Sequence, residues 1–574
     1  MQQETGLYSA WVRVVVLSVI AGVAGGLGAV VFRYAIDLVS TVFQEGVLNA
    51  VSYEVGGLNV GIALLPLVGG LIVGVVVFTF APETKGHGVP EVMEAVHLKA
   101  GEVRSRVAVV KILASAVTIG SGGSAGREGP IAQIGSSVGS ILGRVSALPR
   151  EARRTLVISG LAAGIGGTFN APLGGALFAL EVVYPSTRKL HVIPVFLASI
   201  VGTAVAQEFL GVRPAFSVPA FTIANPMELV LFLPLGLAFG LLAALWVSFF
   251  YKVEDLFDAL PLNPRVKPAI GGFLTGLIGL HFLGSGLMGV GYEGIEGAVA
   301  GEITLAFLLV LGALKMLTTS LTIGSGGSGG IFAPSLFIGV MFGTVFGVVY
   351  NQLVPGLSEQ PFVYGLAGMG ALFAASAKAP ITSIVIVSEM FDNSHLLPPL
   401  MISVAASYVV SSYFLRGSSI YTLKLERRGI KITKIEVLLG LVSVEEVMTP
   451  ARRIVHVSPE TPASQMEELM WEHHHMGYPV LEDGRLVGMV TFHDLREIPE
   501  EMQDETAVGE VSSKDVVVTY PDDTAWDALH EMNQAGVGRL PVVRRDRPDE
   551  LLGIISRSDI MKAHEMAESY ATSV

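Results

Sequence analysis

Arg127 and Glu128 stand out in the stretch Val110–Pro130, VKILASAVTIGSGGSAGREGP, because they follow a glycine-and-serine turn and precede Gly129-Pro130. Glycines and serines expose backbone N–H groups, and a helix starting near Pro130 points the positive end of its dipole at the same place. Such a spot receives an anion. A carboxylate placed there competes for it: ionised, Glu128 mimics the ion, and protonated it loses its attraction to the dipoles. Intramembrane carboxylates are costly, so one in an apolar stretch of this kind points to function.

The elements that must position this turn occur twice. LKMLTTSLTIGSGGSGGIFAP, Leu314–Pro334, repeats the phrase 204 residues later, with eleven of 21 positions identical, Lys111/Lys315 and GSGGS among them. Asn170-Ala171-Pro172 through Glu181 returns as Lys378-Ala379-Pro380 through Glu389, offset by 208. Two apolar halves with glycine-broken helices describe a transporter whose site lies at their junction, with helix N-termini from both halves converging there. Long apolar runs are read at Trp11–Phe43, Leu64–Phe80, Val192–Leu210, Leu229–Phe250, Ala269–Leu283, Ile303–Leu321 and Leu397–Leu415. Shorter ones at Val107–Ile119, Ile131–Leu142, Leu156–Ile165 and Leu173–Val183 fall below the ~20 residues of a full crossing and need ends buried in protein or facing water. In the second half the matching runs are Phe332–Val349, Val363–Ala375 and Ile381–Met390. The basic clusters Lys99–Arg106 and Pro149–Arg154 are expected at an interface. Met1–Ala10 lacks the basic region and cleavage site of a signal peptide.

GSGGSAGREGP at 120–130, KGHGVP at 85–90, GGIFAP at 329–334 and Tyr421 in SIYTLKLERRG resemble, in order, the four anion-site segments of the CLC family of chloride channels and chloride/proton exchangers. The resemblance spans about residues 10–429. It implies an all-α polytopic membrane domain of two inverted repeats with broken helices over 1–429, dimeric, with one anion pore per subunit. By that resemblance the outer anion site is made by backbone N–H groups of Arg127, Glu128 and Gly129, with the Glu128 side chain as gate. The central anion sees Ile331 and Phe332 backbone donors, the Tyr421 hydroxyl, and the Gly86-His87 turn. A neutral hydroxyl holds a halide without trapping it.

Two positions depart from the family pattern. His87 stands where the family often has serine, and offers a ring N–H, or a positive charge in acid that is expected to raise anion affinity. Val182 stands where bacterial exchangers of the well-studied type carry an internal proton-transfer glutamate. Valine relays no proton, and family channels have valine here. Glu181, its neighbour, is expected to be a structural carboxylate paired with an arginine.

Beyond Gly429 the chain resembles a pair of CBS domains, read as 430–503 and 504–574, an α+β region following the membrane domain. Each unit reads as helix, strand, hairpin turn, strand and a Thr/Ser-capped helix. The resemblance implies an adenine-nucleotide site (ATP, ADP or AMP) using Thr491, Asp494, Thr519, Ser556 and Asp559, residues that also suit plain helix capping. Three consecutive histidines, His473–His475, point different ways on a helix and make a poor metal site. No P-loop occurs, which leaves no basis for ATP hydrolysis.

Composition agrees. The chain has 574 residues, 51% hydrophobic, with no cysteine, which excludes disulfides and thiol chemistry. Mean hydropathy is +0.60, too apolar for a soluble protein of this size. From Lys431 onward there are 27 Asp/Glu against 13 Lys/Arg, an acidic tail that argues against nucleic acid as a partner. The reading is a multi-pass protein of the cell membrane, a homodimer with a cytoplasmic CBS pair. It conducts chloride or similar anions passively, is gated by Glu128, has no enzymatic activity and requires no cofactor or metal. The alternative is a chloride/proton antiporter whose proton path avoids the position of Val182. A CBS-bearing magnesium transporter needs an acidic pore lining, and a nucleotide-sensing scaffold would move no anion.

Overall fold

The computed structural model describes residues 2–185, 189–212, 216, 219, 221, 226–355, 360–430, 439–440 and 442–572. The chain divides into two compact units at about residue 431. The expected boundary at 430 adjoins residues 431–438, which lie outside the described residues.

The first unit is helical: α1 Gln2–Thr41, α2 Gly61–Phe80, α3 Val89–Leu98, α4 Arg106–Gly120, α5 Glu128–Val145, α6 Arg150–Phe169 and α7 Pro172–Leu177. A π-helical turn, Phe178–Val183, continues α7. Then come α8 Lys189–Leu210, α9 Glu228–Ala259, α10 Lys267–Gly279, α11 Tyr292–Val299, α12 Leu305–Gly324, α13 Phe332–Leu353 and α14 Pro361–Ala377. The unit closes with α15 Pro380–Met390, α16 Leu397–Phe414 and α17 Thr422–Arg427. Among the described residues, seven helices are long and apolar enough to cross a membrane. With the short helices packed among them, this is an integral, multi-pass membrane protein.

Serines and glycines of the two repeats bond to each other reciprocally. Gly126 N donates to Gly330 O (2.8 Å) and Gly330 N to Gly126 O (2.7 Å). Ser124 N donates to Thr322 Oγ1 (3.1 Å), and Ser328 N to Thr118 Oγ1 (3.3 Å). Ser124 Oγ meets Thr319 Oγ1 at 3.0 Å as Ser328 Oγ meets Ser115 Oγ at 2.9 Å. The repeat therefore encodes a two-fold pairing in which the polar groups of broken helices satisfy one another, as a low-dielectric interior requires.

Two sequence expectations change. α6 is a full twenty residues rather than the short run Leu156–Ile165, because the charged stretch before it is helical too. Arg154, in the second basic cluster, is buried and its Nε donates to Val96 O at 2.8 Å. α11, too short and polar for an apolar-run reading, was not foreseen.

The second unit holds two similar halves. In the first, α18 Ala463–His473 precedes the antiparallel pair β1 Gly477–Glu482 and β2 Arg485–Thr491, then α19 Phe492–Arg496. In the second, α20 Ala525–Ala535 precedes β3 Arg539–Arg544 and β4 Arg547–Ser556, then α21 Arg557–Thr572. Val457 bridges Val480 in parallel, and Thr519 bridges Val542 the same way. Each half has its own apolar core, one around Met466 and Val490, the other around Met532 and Ile555.

Candidate anion site

The residues expected at the membrane site converge. α5 begins at Glu128 with Arg127 before it, and α13 begins at Phe332 with Ile331 before it, so two helix N-termini face one region. The Glu128 carboxylate takes the Ala333 N–H of the other half on Oε1 at 2.6 Å. A carboxylate thus occupies the place where backbone donors of the second half point. Gly129 lies against the KGHG turn so closely that a Cβ there would sit 1.8 Å from His87 O; only glycine allows this approach. Gly86 joins the second half through Gly86 N to Gly327 O (2.9 Å) and Gly329 N to Gly86 O (3.2 Å).

The His87 ring is buried, with its centroid 5.7 Å from that of Tyr421 and 6.0 Å from that of Phe250. Among the described residues neither ring nitrogen of His87 has a hydrogen-bond partner, and neither does Glu128 Oε2. Buried polar atoms are almost always satisfied, so these orphans on two adjoining turns fit a bound ion or water. Tyr421 is buried beside Phe178, whose ring faces Phe373, and Phe373 packs against Phe332 at 4.3 Å. These rings line one side of the region with apolar surface.

Positive charge is built in behind the turn. Lys111, fully buried, donates to Gly86 O (2.8 Å) and Thr84 O (3.0 Å). Lys424, one turn after Tyr421, touches Gly86 and pairs with buried Glu91 at 3.2 Å, which also takes Arg428 at 3.0 Å. Sequence reasoning missed this cluster; the i, i+3 step from Tyr421 to Lys424 was its signal. Lys315 copies Lys111 in the second half, donating to Gly286 O (2.7 Å) and Gly289 O (3.3 Å). Beside Arg127, whose guanidinium lies 4.9 Å over the Tyr292 ring, opens a cavity of about 860 Å³ lined also by Asp37, Glu293 and Phe169.

Val182 is buried in the π-helical turn, and among the described residues no arginine pairs with Glu181; Arg188 lies outside them. Its carboxylate instead takes Ile381 N (3.0 Å), Thr382 N (2.6 Å) and Thr382 Oγ1 (2.5 Å) at the start of α15. Glu389 does the same for α7, through Leu173 N (3.1 Å) and Gly174 N (2.7 Å). Each short helix lacks intrahelical acceptors for its first N–H groups, and the carboxylate from the other half supplies them.

In the second unit Thr491 and Asp494 form a capping box at α19, with Thr491 Oγ1 to Asp494 Oδ2 at 2.8 Å. Ser556 and Asp559 do likewise at α21, at 2.7 Å. Thr519 spends its hydroxyl on Asp523 Oδ2 at 3.1 Å, and burial pushes the Asp523 carboxyl up from its usual range. No hydrogen bond joins these three groups to one another among the described residues, so each does local work and leaves one face of its pair for other contacts. Among the described residues no group of three or more His, Asp or Glu is placed to hold a metal.

A profile of the family described as voltage gated chloride channel matches residues 69–412, and the CBS domain profile matches 444–501 and 508–565. The H(+)/Cl(-) exchange transporter ClcA of Yersinia pestis is 33% identical over 422 residues, covering 72% of this chain and 87% of that protein. The protein of the same name from Vibrio campbellii is 34% identical over 426 residues, covering 72% and 89%. Among solved structures, a slow cyanobacterial Cl-/H+ antiporter superposes with a TM-score of 0.66 at 29% identity, covering 73% of this chain and 97% of its own. A eukaryotic CLC transporter shares the fold over 96% of this chain and 98% of its own, with a TM-score of 0.63 at 19% identity. The paired half-helices, the carboxylate between their N-termini and these matches together place the chain in the CLC family of voltage gated chloride channels and chloride/proton exchangers, with a CBS domain pair at its C-terminal end.

Proposed function

We propose that this protein exchanges chloride for protons across the membrane, with Glu128 as the group that serves both ions. The observation that carries it is the Glu128 carboxylate on the Ala333 N–H at 2.6 Å, a position where an anion is the natural occupant. Ionised, the side chain blocks the anion; protonated, it loses its hold on the helix dipoles and yields the place while carrying one proton. The central anion is held by Ile331 and Phe332 backbone donors, Tyr421 and the Gly86-His87 turn, and Arg127 and Gly129 frame the outer position. His87 contributes a ring N–H there, while Lys111 and Lys424 supply the charge. That the similar proteins from Yersinia and Vibrio are named exchangers supports this reading over passive conduction. The passive reading rests on one observation, valine at 182.

The protein works as a homodimer in the cell membrane with its CBS pair in the cytoplasm, where an adenine nucleotide tunes transport through Thr491, Asp494, Thr519, Ser556 and Asp559. The test of the central reading is the reversal potential of the protein in liposomes under a chloride gradient, with and without a proton gradient. Exchange moves the potential with the proton gradient. A potential locked to chloride equilibrium at every pH difference means passive conduction.

A further inference from the structure

Exchange demands titratable groups on both sides of Glu128, and Val182 provides none on the inner side. Among the described residues, a buried cluster of such groups beside Val182 lies outside the anion site. His97, at the last turn of α3, has Nε2 3.0 Å from Val183 O, the residue after Val182. A carbonyl only accepts, so Nε2 carries the hydrogen. The His97 ring lies 5.3 Å from that of Tyr184, and Tyr184 lies 5.4 Å from His191 in edge contact. His191 Nδ1 in turn meets Thr155 Oγ1 at 2.8 Å. All four side chains are buried.

The location fits a path to Glu128. α3 starts at the turn bearing His87 and ends at His97, about 15 Å away for ten residues of helix. α6 carries Thr155 near one end and Phe169 in the wall of the cavity beside Arg127 at the other, about 21 Å apart along the axis. Thr155, at one end of the strip, and the cavity therefore sit towards opposite ends of the same helix. Charged groups on the elements that carry the strip include, among the described residues, Arg154 on α6, bonded to Val96 O beside His97, Glu181 turned to α15, and Glu94 paired with Lys99 at 2.6 Å.

We infer that His97, Tyr184 and His191 form the inner proton path of this protein, carrying protons past Val182. The inference rests on the exchange reading above. Each step conserves protons: an imidazole receives one on one ring nitrogen and releases one from the other, and the Tyr184 phenol accepts one on its oxygen as it gives up its own, while Val183 O only holds the His97 ring and passes no proton.

The experiment measures proton and chloride flux together in liposomes for the wild-type chain, His97→Gln, His191→Asn and Tyr184→Phe. The amides keep a donor for the Val183 and Thr155 contacts, and phenylalanine keeps the ring. Proton flux per chloride is expected to fall roughly tenfold or more in the histidine variants while chloride flux stays within about twofold. Adding Val182→Glu to His97→Gln is expected to restore coupling, which a packing role for His97 would not allow. Wild-type coupling retained in the folded histidine and tyrosine variants overturns the path and leaves exchange standing. A wild-type chain without coupling overturns both.

Discussion

The turns at 120–130 and 324–334 share a backbone and differ in what they display. Both spend GSGGS on hydrogen bonds to the other half, and both open a helix whose N–H groups face the anion site. The first then presents Arg127-Glu128, the second Ile331-Phe332. Its carboxylate crosses to the donors of the second turn, at Ala333 N. The second turn offers donors and an aromatic wall and no charge. The repeat thus supplies a symmetric cradle that one asymmetric pair of residues sets apart, and in the proposed exchange that pair is what responds to protons.

The largest expected effect comes from erasing that asymmetry. Glu128→Gln keeps the shape and removes the titrating group, so proton coupling should vanish and anion flux should lose most of its pH dependence. Wild-type pH dependence in that variant, measured by flux between pH 4 and 8, would remove Glu128 from the mechanism.

A second comparison is between Lys111 and Lys315, equivalent in the repeat and each bonded to loop carbonyls. Replacing either by methionine strands buried carbonyls and should cost about 1.5–3 kcal/mol per charged hydrogen bond lost, seen as a lower unfolding temperature in detergent. Lys111→Met should also weaken chloride binding by calorimetry, because its ammonium holds the Gly86 turn. Lys315→Met should not. Equal loss of chloride affinity in both would show that the two lysines are alike in function as well as in fold.

The smallest effect separates capping from proton carriage at Glu181 and Glu389. Glutamine at either position keeps an acceptor oxygen and loses the favourable charge at a helix N-terminus, a loss of about 0.3–1 kcal/mol that should be similar in both. Coupling should survive each. If Glu181→Gln alone abolishes coupling, Glu181 carries protons and the symmetry with Glu389 is only structural.

Much of the site was legible because it is written in local, repeated phrases. The doubled GSGGS turn, the KGHGVP and GIFAP segments and Tyr421 name the converging parts, and the two hairpins of the tail announce themselves by their turn residues. Glu181 illustrates what was not legible. Its echo at Glu389 was visible, yet its bonds to Ile381 and Thr382 were not, because the first N–H groups of a helix two hundred residues away leave no mark in the neighbouring sequence. The Glu91–Lys424–Arg428 cluster was hidden for the same reason: its members lie over three hundred residues apart.

The sequence alone determined that there are two apolar halves of one pattern, that each breaks its helices with glycine, and that a carboxylate stands in the first turn and none in the second. These follow from composition and spacing, which local sterics and the membrane's demand for satisfied backbone groups read directly. Tertiary structure decided where the carboxylates point. Glu128 reaches the donors of the opposite half, Glu181 and Glu389 cap each other's short helices, and His97 comes to rest on Val183. A charged side chain in a dry interior must find its partner wherever the fold brings one, and that partner is set by packing across the two-fold rather than by any neighbour along the chain.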